Sequence, residues 1–140
     1  MPILFVPAPG TILLCDYEGH IPPEMDKRRP VVVVSPPSQG RHKLATIVAL
    51  STTAPNPVMP FHCQITVNPT LPPPFNSPVM WVKRDMLFTA SYDRLDRFKM
   101  GKNPNGTRIY KAFTAPQGSM PDIHKAVING LGLGRLSPHI

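Results

Sequence analysis

Arg29-Pro30-Val31-Val32-Val33-Val34-Ser35 decides the fold of this chain. Four consecutive β-branched valines offer no polar position for an exposed face, so the run reads as a strand buried on both sides. Pro36 and Pro37 stop it, since neither can donate to a sheet ladder. Toward the amino terminus, Gly10 precedes Thr11-Ile12-Leu13-Leu14-Cys15-Asp16-Tyr17, a short apolar first strand closed by Glu18-Gly19. Toward the carboxy terminus, residues 43–53 read as a third strand and residues 61–67 as a fourth, with Pro55, Pro57 and Pro60 in the loop between. Runs adjacent in sequence are expected to pair antiparallel.

The remaining chain follows the same logic. Residues 68–78 hold five prolines and read as an extended loop, while 79–83 and 86–91 supply more strand with Arg84-Asp85 between them. Asp93-Arg94-Leu95-Asp96-Arg97 is a charged connector, 99–105 a flexible basic tip and 107–113 a further strand. Ser119 can cap a helix with Pro121 in its first turn. Ile123, Ala126, Val127 and Leu131 then recur on one helical face, and Gly130 and Gly132 mark its end. The expectation is a mainly β fold: five to seven short strands curled into a small barrel, with a carboxy-terminal helix packed against it. All of residues 1–140 read as one domain.

Composition agrees. The 140 residues include 20 prolines, about three times the usual ~5%, which leaves room only for short elements and excludes a helical bundle. With 41% apolar and 16% charged residues, the chain has a core to bury. Fifteen Lys and Arg against eight Asp and Glu give a net charge of +7, a field that favours polyanionic partners. Cys15 and Cys63 each lie inside an apolar run and read as buried reduced thiols. The opening Met1–Val6 stretch is broken by proline and lacks a basic leader, and no window approaches the length of a membrane span. A cytoplasmic protein with no membrane association is the expectation.

Nucleotide-binding glycine loops, paired metal-ligand histidines and serine nucleophile elbows are missing from the sequence. Neither a metal nor a cofactor is expected. The five histidines, at 20, 42, 62, 124 and 139, are scattered. A pairing is more informative: Arg28 and Arg29 open the valine strand, and Ser51, Thr52 and Thr53 close the next one. In the simplest antiparallel pairing those two ends are neighbours. A permanently charged, fork-shaped guanidinium beside a hydroxyl can hold a phosphodiester and stabilise charge that develops on it. From the residues alone, the favoured reading is simpler: an arginine that neutralises Glu24 or Asp26 beside a strand-capping threonine.

The segments Gly10–Tyr17, Arg29-Pro30-Val31-Val32-Val33-Val34-Ser35 and Ala49-Leu50-Ser51-Thr52-Thr53 resemble, in order and spacing, the first strands of the MazF/PemK family of toxin endoribonucleases. A weaker similarity runs through Trp81-Val82-Lys83-Arg84-Asp85-Met86 to the final helix. The resemblance implies an SH3-like (CcdB/MazF-like) barrel, a homodimer, and metal-independent cleavage of single-stranded RNA by its own 2′-hydroxyl. It also implies a cognate antitoxin partner. By carry-over, Arg29 acts on the scissile phosphate as acid or charge stabiliser, Thr52 positions it, and Glu24 is the loop carboxylate nearest the family's acidic position. His20, Lys27, Arg28, Ser51, Thr53, Arg84 and Asp85 are the surrounding candidate RNA contacts.

Two departures stand out. The approach to Arg29-Pro30 reads His20-Ile21-Pro22-Pro23-Glu24-Met25 rather than the family's usual pattern. Where several members carry a later-strand arginine, this chain reads Met86-Leu87-Phe88-Thr89, so Arg84 or Asp85 would have to substitute in space. Alternatives of a different class are a toxin of the same fold that acts by binding protein, as a gyrase poison does, and a nucleic-acid-binding barrel with impaired catalysis.

Overall fold

The computed structural model describes residues 2–37 and 43–140; Met1 and His42 lie outside them. The valine run forms β2 (Arg29–Val33), between β1 (Thr11–Cys15) and β3 (Leu44–Ser51). Val31 and Val33 enter one apolar cluster, with Leu13, Cys15 and Tyr17, while Val32 and Val34 enter a second one on the opposite side. Burial on both faces thus follows from the absence of any polar alternation in the run. Each fully buried valine contributes about 1.5–3 kcal/mol.

The sheet continues through β4 (Cys63–Thr66), β5 (Val79–Ser91) and β6 (Leu95–Asp96). Its order is β4-β5-β3-β2-β1-β6, all pairs antiparallel, and β9 (Phe113–Thr114) also pairs with β1. Between β6 and β9 the chain makes a separate two-stranded ribbon, β7 (Phe98–Lys102) and β8 (Arg108–Lys111). The segment expected to be a flexible basic tip is therefore half strand. Gly101 (φ +94) and Gly106 (φ +86) supply the left-handed backbone that its bulge and its turn require.

The two pieces expected around Arg84-Asp85 are one 13-residue strand, β5. The break in pattern has a physical cause. Val48 pairs with Leu87 and Leu50 with Val82, so the β3–β5 register shifts and the extra residues 83–86 bulge from β5.

The helix α1 spans Met120–Gly130 and packs on β5 and β4 through Ile123, Ala126 and Val127. Ser119 precedes it but caps nothing with its side chain, because its hydroxyl donates to the Pro116 carbonyl at 2.6 Å. Leu131, expected on the buried face, is 57% exposed, since the chain has already left the helix there. Together these elements make a mainly β, curled antiparallel sheet with one α-helix near the carboxy terminus. Among the described residues no helix is long and apolar enough to cross a membrane.

Candidate functional site

Cys15 and Arg29 are cross-strand partners at the end of the β1–β2 pair. Alternation puts Arg29 on the face of Val31 and Val33, where Leu13, Cys15 and Tyr17 also lie. Val31 pairs with Ala49 on β3, whose last residues, Leu50 and Ser51, run on toward the Arg29 end of β2. The hydroxyl-bearing strand end and the arginine are therefore neighbours, as the simplest pairing requires.

Arg29 is half-buried, and its Nε is out of solvent with no hydrogen-bond partner. Among the described residues no carboxylate forms an ion pair with it. Glu24 is otherwise engaged: Oε1 accepts from the Ile21 N–H at 2.9 Å, and Oε2 stands 3.9 Å from His20 Nδ1. A guanidinium cannot shed its charge, so leaving its buried Nε–H unpaired costs of order 1–3 kcal/mol that an anion reaching it would recover. The Tyr17 hydroxyl is likewise buried without a partner. Burial, and then the neighbouring Cys15, push its pKa well above the usual phenol range against the opposing charge of Arg29. Burial also pushes the Cys15 thiol up to about 12, against the opposing charge of Arg94.

Beside this group, Tyr17, His20, Glu24, Met25, Asp85 and Phe88 line a cleft of about 230 Å³. Residues 18–28, between β1 and β2, form one wall. Ring contacts hold it: Tyr17–His20 at 5.3 Å, His20–Phe88 at 4.8 Å and Tyr17–Phe88 at 6.0 Å between centroids. Arg94 fastens the base of the same loop, with Nη1 donating to Asp16 O at 3.0 Å and Glu18 O at 2.8 Å while its guanidinium lies 6.0 Å over the Phe88 ring.

The other sequence candidates distribute around this centre. Thr52 and Thr53 are exposed just past β3, and Ser51 Oγ accepts from the Thr53 N–H at 3.0 Å. Lys27 is exposed, and Arg28 faces Asp16 at 3.7 Å. Asp85 joins the cleft wall, whereas Arg84 is held on the helix side, with Nη1 donating to Asn129 Oδ1 at 3.0 Å and the guanidinium 4.1 Å over Phe61. Arg84 thus does not stand in for an arginine at Phe88. A larger cavity of about 340 Å³, between α1 and the start of β4, holds none of the predicted residues.

Sequence reasoning missed Tyr17 and Arg94 as neighbours of the candidate residues, and it singled out Phe88 only as the place of an absent arginine, not as a ring packed on Tyr17 and His20. Tyr17 was accessible, since it continues the Leu13–Cys15 alternation inward. Nothing local distinguishes Arg94 from the other charges of its connector. Among the described residues no group of three His, Cys, Asp or Glu is placed to hold a metal ion.

The family model described as PemK-like, MazF-like toxin of type II toxin-antitoxin system matches residues 8–126. The chain is 29% identical over 153 aligned residues to YifN of Escherichia coli (strain K12), covering 94% of this chain and 95% of that protein. Among solved structures it is similar to a MazF from Deinococcus radiodurans, with a TM-score of 0.59 at 19% identity over 91% of this chain and 98% of that one. It is also similar to an endoribonuclease from Mycobacterial species, with a TM-score of 0.55 at 22% identity over 92% and 94% of the two chains. A Mycobacterial endoribonuclease in complex with its cognate antitoxin matches with a TM-score of 0.52 at 19% identity, over 91% and 95%. At these identities the likeness establishes the fold, which agrees with the curled sheet and helix expected from the valine run.

Proposed function

Because the chain belongs to the PemK-like, MazF-like toxin family of type II toxin–antitoxin systems, we propose that it is an endoribonuclease that cuts single-stranded RNA without a metal ion. The observation that carries this reading is Arg29: a half-buried guanidinium with no carboxylate partner, near a hydroxyl-bearing strand end, beside an open cleft. A site arranged that way stabilises an anion, and the net charge of +7 draws a polyanion toward it. The similarity in fold to proteins described as endoribonucleases adds to the same reading.

In this mechanism the protein supplies no covalent nucleophile. The 2′-oxygen of the RNA loses its proton and bonds to phosphorus, the P–O5′ bond breaks, and the departing 5′-oxygen takes up a proton. Arg29 holds the non-bridging oxygens as negative charge builds on them. Its permanent charge suits it to stabilisation rather than proton donation. Thr52 positions the phosphate from the end of β3. Glu24 and His20, both on the cleft wall, are the groups assigned to proton transfer. Arg94, beside Phe88, brings a cation to the neighbourhood where several family members carry one on the strand itself. A homodimer and a cognate antitoxin complete the proposal; one similar structure is of an endoribonuclease bound to its antitoxin.

The test is a substrate with a single 2′-deoxy substitution at the mapped cut site. Loss of cutting there, with cyclic-phosphate and 5′-hydroxyl ends at the unsubstituted site, is the expected result. Cutting that survives the substitution overturns the mechanism.

A further inference from the structure

The β7–β8 ribbon lies outside the site described above, and among the described residues its cations form no ion pair. Between Arg97 and Pro121 the sequence has five cations, Arg97, Lys99, Lys102, Arg108 and Lys111, and no Asp or Glu. Four of them share one face. Lys99 pairs across the ribbon with Tyr110 and Lys102 with Arg108, the register shifting between the two pairs. Cross-strand partners project to the same side, and Arg108 and Tyr110 alternate along β8, so all four side chains point one way. Arg97 joins them, its guanidinium 5.4 Å over the Tyr110 ring. Lys111 instead lies 4.8 Å over the Phe113 ring.

Lys99, Lys102 and Arg108 are exposed, and among the described residues no carboxylate pairs with any of them. Like charges directly opposite one another, as Lys102 and Arg108 are, destabilise a ribbon. A polyanion laid along the face removes that repulsion.

Beside the ribbon, Arg97 and Lys99 share a groove of about 350 Å³ with Arg28, Phe75 and the prolines 72–74, and alternation puts Arg28 on the opposite side of the chain from Arg29. Asp96 lies in the same lining, but its Oδ1 accepts from the Arg97 N–H at 2.7 Å. Arg97 and Lys99 are two residues apart, about 7 Å along an extended chain, close to the phosphate repeat of an extended nucleic-acid strand. The groove floor is apolar, as suits unstacked bases.

We propose that the β7–β8 ribbon is a second RNA-binding surface, which clamps the single strand outside the cleft through Lys99, Lys102 and Arg108 on its phosphates and Tyr110 against a base. The proposal rests on the reading of RNA as substrate and extends it beyond the catalytic cleft. An acidic protein segment is the competing occupant; the half-buried Tyr110 ring beneath Arg97 and the apolar groove floor favour the nucleic acid.

The experiment uses the full chain with Arg29→Ala, so that RNA stays intact, and measures Kd against salt for a long single strand of about 20 nucleotides and a short one of about 5. Replacing Lys99, Lys102 and Arg108 together by Gln should make the slope of log Kd against log salt shallower by about 2 on the long RNA. The change should be much smaller on the short RNA. Tyr110→Ala should weaken the long RNA about five-fold or more and leave binding of a poly-glutamate peptide unchanged. An unaltered slope on the long RNA, an equal change on the short one, or an equal loss of poly-glutamate binding in Tyr110→Ala each overturns the proposal. Cleavage by the wild-type chain is scored separately. Cutting with no slope change rejects the ribbon alone, whereas a slope change without cutting rejects catalysis alone.

Discussion

His20 meets Phe88 edge to face, with ring centroids 4.8 Å apart and planes at 82°. Tyr17 completes the triangle, so the β1–β2 loop is fastened to β5 by three ring contacts. Each such contact is worth about 0.5–1.5 kcal/mol beyond area burial. Phe88→Ala should therefore lower stability by about 2 kcal/mol and raise KM for RNA more than it lowers kcat, because it frees the wall of the cleft. Denaturant midpoints and steady-state cleavage rates check both effects.

Arg94 is the loop's polar anchor. Arg94→Ala removes two charge-assisted hydrogen bonds, to the Asp16 and Glu18 carbonyls, and should cost about 2–4 kcal/mol. The loss should appear as faster amide exchange in residues 16–20 before it appears as global unfolding. Removing the opposing charge should also drive the Cys15 thiol still further up.

Much of this was legible in the sequence because it rests on local pattern. Four valines without alternation can only be a doubly buried strand, and the antiparallel return that brings Ser51 to Arg29 follows from two short neighbouring strands. The helix face at Ile123, Ala126 and Val127 is equally a matter of period. What escaped depends on distant pairings. Arg94 reaches carbonyls more than 70 residues away in sequence, and Phe88 acts only through rings on another strand and loop. The register shift that bulges residues 83–86 turns Arg84 toward Asn129, a choice no window around Arg84 encodes.

Two buried thiols, joined above about pH 10 by the buried Tyr17 phenol, make the fold sensitive to alkali. Burial raises Cys15 to about 12 and Cys63 to about 11, so between the unfolded thiol pKa near 9 and those values the unfolded chain releases protons that the folded chain keeps. Stability therefore falls as pH rises above about 9, by up to ~1.4 kcal/mol per pH unit for each thiol. Chemical denaturation from pH 8 to 11 should show this slope, and Cys15→Ala should flatten it. Neither thiol should react with iodoacetamide at pH 8 until the chain is unfolded.

Gly130 closes α1 against β5, and a Cβ there would run into the Arg84 carbonyl. Gly130→Ala should destabilise by about 1–3 kcal/mol despite alanine's better helix propensity. A thermal melt with a raised Tm would show instead that the helix end can lift from the strand.

In the proposed reaction Arg29 stabilises the scissile phosphate without help from a metal. This is tested most directly by incubating a long single-stranded RNA with the wild-type chain and with Arg29→Ala in excess chelator, and mapping the cut sites and their ends. Cuts with cyclic-phosphate ends are expected for the wild type, and a rate lower by about 10²–10³-fold for the folded variant. Equal cutting by both chains, or wild-type cutting that the chelator abolishes, contradicts that reaction.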